Sequence, residues 1–189
     1  IVFLQSPGKT VADTKHDLVA NPARFLGGAL HAWTDTFPLG QLQNQAYGYL
    51  FPQGLFFLLT DPLPDWIAQR LWWLIVVGVG FSGFFTLLNR LGRSKGQSKE
   101  WSSPAFMVLA AMLYAFSPRT ISTLGAISSE TWTVMLAPWV IVPFVQPITR
   151  VGPAFRAVAA SVLAVAAMGA VNATATLAAC VPAGLYLLS

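Results

Sequence analysis

The sequence predicts an all-α polytopic membrane protein with a polar, motif-rich loop on the non-cytoplasmic face and a basic loop on the cytoplasmic face. Three observations predict it. Hydrophobic residues make up 55% of the chain and charged residues 10%, whereas roughly a quarter of residues are charged in an average soluble domain, so water could not solvate such a surface. Apolar runs approach or reach the ~20 residues a helix needs to cross a bilayer. The charges that remain gather between those runs. Cys180, the one cysteine, lies inside an apolar run and reads as inert packing.

The elements follow in order. Ile1 to Leu4 reads like the tail of a transmembrane helix and Leu185 to Ser189 like one cut short, so the chain reads as a fragment of something longer. Residues 5–65 form the first outer loop, with five of the seven acids: Asp13, Asp17, Asp35, Asp61 and Asp65. Within it, Asn21-Pro22 reads as an N-cap with proline at the first helical position. From Ala23 to Trp33, the residues Phe25, Leu26, Leu30 and Trp33 share one helical face. That is an amphipathic helix suited to lying in the membrane interface. The aromatic stretch Tyr47 to Phe57, broken by Pro52 and Gly54, is short for a span.

Residues 66–91, 104–117, 131–149, 157–171 and 173–188 are expected as membrane helices, all within a single transmembrane domain covering 1–189. Arg70, near the start of the first, is expected to snorkel to the interface beside Trp72 and Trp73. Pro138, Pro143 and Pro147 should kink the third. A tight basic turn is expected at 150–156, and a break around Gly169 to Asn172. The loop 89–103 carries Arg90, Arg93, Lys95 and Lys99 against Glu100, and the turn adds Arg150 and Arg156. By the positive-inside rule both face the cytoplasm, which puts 5–65 and 117–130 outside.

The densest polar cluster is Asp13-Thr14-Lys15-His16-Asp17. If it is helical, Asp13 and Asp17 share a face at i and i+4, where two carboxylates can hold a divalent cation or supply a general base. The plainer alternative is a solvated loop with a capping Asp. Glu130 stands at the outer mouth of the 131–149 helix. A first-turn charge on the helix dipole would explain it; so would a second carboxylate facing the outer cavity. Arg119, Lys15 and Lys9 are outer cations able to pair with lipid headgroups or to clamp the phosphate of a lipid-linked donor. His16 and His31 are too few and too far apart for a metal signature. Gly8-Lys9-Thr10 lacks the earlier glycine of a phosphate-binding loop, since that position is Phe3. Nothing points to nucleic acid.

Several longer words resemble the arabinofuranosyltransferase family AftD of mycobacteria and corynebacteria. They are Asp13 to Leu18 with Asn21-Pro22, Asn44 to Pro52, Gln69 to Trp73, Ser117 to Thr120, Leu124 to Thr131 and Val171 to Leu177. The resemblance implies the N-terminal portion of a GT-C membrane glycosyltransferase, in which a catalytic acid follows the first transmembrane helix. Asp13 holds that place, with Asp17 beside it. It further implies decaprenyl-phosphoryl-arabinofuranose as donor, cell-wall arabinan as acceptor, α(1→3) linkages made with inversion, and a plasma-membrane enzyme whose active site faces the periplasm. The expected catalytic residues are then Asp13, Asp17 and Glu130, and the expected donor-phosphate or substrate ligands Lys15, His16 and Arg119. No metal site is expected, although two carboxylates leave a divalent cation open. The alternatives are a GT-C transferase using another polyprenyl-phosphate sugar, such as a mannosyltransferase, and a non-enzymatic transporter or scaffold. A transporter should carry ionisable groups at mid-membrane, and the best spans here lack them.

Overall fold

Helices form where apolar runs meet capping residues. The computed structural model describes residues 3, 6–13, 15–35, 39–42, 46–94, 103–145 and 151–188. The loop residues 95–102, the segment 146–150, Thr14, residues 36–38 and 43–45, Ser189 and most of the opening apolar run lie outside them. In chain order the helices are α1 (His16–Ala20), α2 (Pro22–Ala29), α3 (Leu55–Thr60), α4 (Asp65–Ser94), α5 (Pro104–Ala115), α6 (Pro118–Leu124), α7 (Ser128–Ile141), α8 (Val151–Ala166) and α9 (Ala173–Leu188). A 3-10 turn at Ala46–Tyr49 and a π-helical turn at Leu50–Gly54 lead into α3.

Capping chemistry sets the starts. Asn21 accepts from Arg24 N at 3.0 Å, with Pro22 first in α2. Ser103 and Ser117 cap α5 and α6 in the same way, each followed by proline. The Asn172 side chain accepts from Ala175 N at 3.1 Å and starts α9. In each case a side-chain oxygen satisfies an orphan N–H and proline supplies, or the turn permits, the entry geometry.

Two sequence expectations change. The amphipathic helix does not reach Trp33. It ends at Ala29 just after Gly27-Gly28, which weaken helix propagation, and Trp33 lies in a two-residue strand, β1 (Trp33–Thr34), paired antiparallel with β2 (Gln41–Leu42). Its apolar residues divide accordingly: Phe25 and Leu26 pack on the core, while Leu30 and Trp33 are exposed. The expected turn at 150–156 is largely helix, because α8 already begins at Val151.

Helix α4 is the long apolar element. Asp65–Gly92 has the length and composition to cross a membrane, yet only 28% of its most apolar 18 residues are buried in the fold. An apolar helix with that much surface uncovered suits a lipid surrounding. Helices α5 and α6 reach spanning length only together, across a 42° bend.

Helices α4 and α7 run parallel in close contact. A Cβ built at Gly80 would lie 2.0 Å from Met135 Sδ, and one at Gly83 would lie 2.6 Å from Trp139 Nε1. Small residues thus let the two helices approach, as in other membrane helix pairs. Trp139 Nε1 donates to the Val79 carbonyl at 3.0 Å. Around this seam Trp72, Val76, Trp132, Met135 and Leu136 form the core, with the Trp72 and Trp132 rings 5.1 Å apart. Helices α8 and α9 pack on α7. Trp132 Nε1 donates to Ala167 O at 2.7 Å, and Ser161 Oγ to Val140 O at 3.0 Å. The α8–α9 turn seats on the first loop, where Gly48 leaves room for the backbone of Gly169, a left-handed residue at φ +80°.

Candidate functional site

The segment that carries Asp13 is tied down from the side. Gln69, on α4 and 1% exposed, accepts from Val11 N and donates to Val11 O, both at 2.8 Å. This two-point clamp copies a strand pairing with a side-chain amide and leaves neither backbone group of Val11 unsatisfied. A Cβ built at Gly125 would lie 3.6 Å from both Val11 and Trp73, the latter one turn along α4. Arg70 lies beneath this roof. It is 1% exposed and its guanidinium sits 4.3 Å from the Trp73 ring centroid. It therefore does not snorkel outward. The first loop covers the turn of α4 from which it would have emerged, and the indole face takes the cation instead.

Two residues beyond the clamp, the Asp13 carboxylate reaches the start of α7. One oxygen accepts from Ser128 N at 3.2 Å and the other from the Ser128 hydroxyl. Ser128 is the first residue of α7, so the carboxylate meets the positive end of that helix. Behind Ser128, Gln53 Nε2 donates to its hydroxyl oxygen at 3.1 Å. Tyr49 and Ser129 share a hydrogen bond at 3.4 Å. Burial pushes the Tyr49 phenol above its ordinary value of 10; the Ser129 hydrogen bond opposes that shift and the negative charge of Asp13 reinforces it.

Glu130 is two residues further along α7. It pairs with Arg119 of α6, whose side chain is 64% exposed. The pair stands at one wall of a groove of about 330 Å³ whose other polar residues are Asn172 and Thr174 at the start of α9. Its floor is small and apolar, from Ala137, Ala175, Ala178 and Ala179. The N-termini of α7 and α9 both contribute to this groove, which suits an anion.

The expected site residues therefore separate into groups. Asp13 meets Ser128, the first residue of α7, while Glu130, the third, pairs with Arg119. The expected pairing of Asp13 and Asp17 on one helical face does not form, because α1 begins only at His16 and Asp13 lies before it. Asp17 is exposed in the first turn of α1. Lys15 is half-buried just ahead of α1, and exposed His16 places Nε2 3.3 Å from Thr10 Oγ1. Among the described residues no three His, Cys, Asp or Glu side chains gather as metal ligands.

Sequence reasoning assigned no role to Gln53, Gln69, Tyr49 or Ser128. Uncharged residues in apolar surroundings give no periodic signal. The one available hint is that a glutamine inside a membrane-length helix needs a partner.

The comparisons extend over the whole chain. The family model for the N-terminal GT-C domain of alpha-(1->3)-arabinofuranosyltransferase matches residues 1–189. The chain is 48% identical over 190 residues to an alpha-(1->3)-arabinofuranosyltransferase of Mycobacterium tuberculosis, covering 98% of this chain and 13% of that protein. It is 47% identical over 188 residues to the protein of the same name from Mycolicibacterium smegmatis, with the same shares. The cryo-EM structure of the arabinofuranosyltransferase AftD from mycobacteria matches with a TM-score of 0.86 and 48% identity, over 99% of this chain and 14% of that one. The chain thus spans 13% of the length of the curated relatives it matches. A family match from end to end, joined to a helical fold that superposes on a solved relative, establishes that this chain belongs to the family of N-terminal GT-C domains of alpha-(1->3)-arabinofuranosyltransferases.

Proposed function

We propose that this domain carries the reacting centre of an arabinofuranosyltransferase that uses a polyprenyl-phosphate sugar, with Asp13 as general base. The donor read for it is decaprenyl-phosphoryl-arabinofuranose, the acceptor cell-wall arabinan, and the product an α(1→3) linkage formed with inversion on the periplasmic side. The observation that carries this reading is the seat of Asp13: a first-loop carboxylate brought onto Ser128, the first residue of α7, the helix whose third residue, Glu130, pairs with Arg119 and lines the groove.

The acceptor hydroxyl gives its proton to the Asp13 carboxylate. Its oxygen forms the new bond to the anomeric carbon from the face opposite the leaving group. The bond from that carbon to the phosphate oxygen breaks, and its electron pair leaves with the lipid phosphate. Ser128 holds both Asp13 oxygens and so orients the carboxylate that takes the acceptor proton. Arg119 has five N–H donors and gives one to Glu130; the others suit the leaving phosphate. Glu130 then orients Arg119. The small-residue floor of the groove accommodates the first part of an apolar lipid chain.

The test uses full-length protein in membranes with the lipid donor. Asp13→Asn keeps the shape and removes the base, so transfer should fall by roughly 10²–10⁴-fold. Arg119→Gln should weaken donor use, seen as a raised KM or a lowered kcat. Near-normal transfer by well-expressed Asp13→Asn contradicts the reading. Faster turnover of a mannosyl than of an arabinofuranosyl donor would keep the base and replace the sugar.

A further inference from the structure

We propose that Ser128, with Gln53 behind it, is a positioning residue for Asp13, aiming the carboxylate rather than touching the substrate. This rests on the reading of Asp13 as the base. A serine hydroxyl has one proton and two acceptor lone pairs, and a glutamine amide nitrogen only donates. Gln53 Nε2 donates to Ser128 Oγ at 3.1 Å. The Ser128 proton therefore points to the other neighbour of that oxygen, the Asp13 carboxylate. Ser128 N–H holds the second carboxylate oxygen at 3.2 Å. Two donors from one residue, one backbone and one side chain, fix the plane of the carboxylate as well as its place.

The arrangement is buried and cross-linked. Ser128 is fully buried and Gln53 nearly so. They come from segments 75 residues apart, and Asp13 lies 115 residues from Ser128. Three distant parts of the chain thus converge on one hydroxyl. A serine that only started α7 would need no glutamine to orient its proton. Thr120 and Thr133 are buried hydroxyls of the same region, and the hydrogen bonds shown for them stay within their own helix turns. Ser128 instead joins the π-helical turn at Leu50–Gly54 to the distant segment that carries Asp13. Catalytic groups held within a few tenths of an ångström by such support retain their rate; a loosened carboxylate loses it.

The experiment is a double-mutant cycle in the full-length enzyme, read as kcat and donor KM. Ser128→Ala should lower kcat by roughly 10- to 100-fold, the range expected for losing a hydrogen bond to a charged group, with donor KM unchanged. Ser128→Thr, which keeps the hydroxyl, should recover most of it. Added to Asp13→Asn, Ser128→Ala should cost nothing further, because a residue acting through the carboxylate has no effect once it is gone. Gln53→Met should give a smaller loss that also disappears in the Asp13→Asn background, and it serves if Ser128→Ala fails to accumulate. Wild-type kcat in Ser128→Ala, or an equal further loss on top of Asp13→Asn, overturns the proposal. Wild-type transfer by Asp13→Asn alone overturns the base assignment instead, and is read separately.

Discussion

Asp13, Gln69, Ser128 and Tyr49 come from four different segments and meet within a few bonds of one another. Gln69 fixes the backbone at Val11, and Ser128 fixes the side chain two residues on. Gln69→Ala removes both partners of Val11 and leaves a partly buried N–H and C=O unsatisfied, at about 1–3 kcal/mol for such a loss. Its melting temperature should fall, and amide exchange at Val11 and Asp13 should speed up. Unchanged exchange there would show that the clamp does not hold the segment. Tyr49 gives a pH prediction. Its folded value is raised, so its contribution to stability is full below the unfolded value of 10 and is lost as pH rises through the higher folded value. The tyrosinate absorbance missing from Tyr49→Phe should appear in the wild type only above pH 10, and the alkaline loss of stability should be smaller in the variant. The sequence pointed to Asp13 by position and by resemblance, and to Glu130 and Arg119 by charge. It could not reveal the polar residues around them, since a buried glutamine or serine carries no charge or periodicity, and only the fold brings residues 75 or 115 apart together.

The packing of α4 against α7 sets the framework at the level of elements. Gly80 and Gly83 meet Met135 and Trp139 with no space for a Cβ. Gly80→Leu must therefore push the helices apart, costing about 1–3 kcal/mol as overpacking typically does. Since Ser128 begins α7 and Gln69 belongs to α4, the same change should also lower transfer without touching the site. Full activity with an unchanged melting temperature would contradict this packing. Helix α4 was legible because a long apolar run has few other fates. The Asn21 cap was legible from two adjacent residues. The overextended α2 was not, because Phe25, Leu26, Leu30 and Trp33 keep helical spacing even though the chain leaves the helix after Gly27-Gly28. The early start of α8 escaped because Arg156 reads as a loop charge, yet it sits in the first turns of a helix that remains apolar.

Across the whole molecule, the candidate site and Arg90 lie toward opposite ends of α4. The 22 residues from Gln69 to Arg90 rise about 30 Å along α4, close to the thickness of a bilayer core. At the Gln69 end lie Val11, Asp13 and the start of α7; at the other, Arg90 donates to Val142 O at 2.7 Å beside the end of α7. Under the proposed orientation, Thr14→Cys should be labelled by an impermeant reagent from the periplasm and Ser94→Cys only after the membrane is opened. Labelling of Ser94→Cys in intact cells would reverse the topology. The faces of α5, α8 and α9 expose Leu109, Leu113, Phe155, Leu163, Leu177 and Leu185, surfaces that in the full-length protein would meet lipid or further helices. The most direct test of the central claim is a structure of the full-length enzyme with a non-transferable analogue of the lipid-phosphate sugar bound. The phosphate should lie against Arg119 at the N-termini of α7 and α9. The Asp13 carboxylate, still on Ser128, should lie on the face of the anomeric carbon opposite the phosphate, within about 3 Å of the acceptor hydroxyl. An anomeric carbon facing Asp17, or a phosphate bound at the Arg90 end of α4, would contradict it.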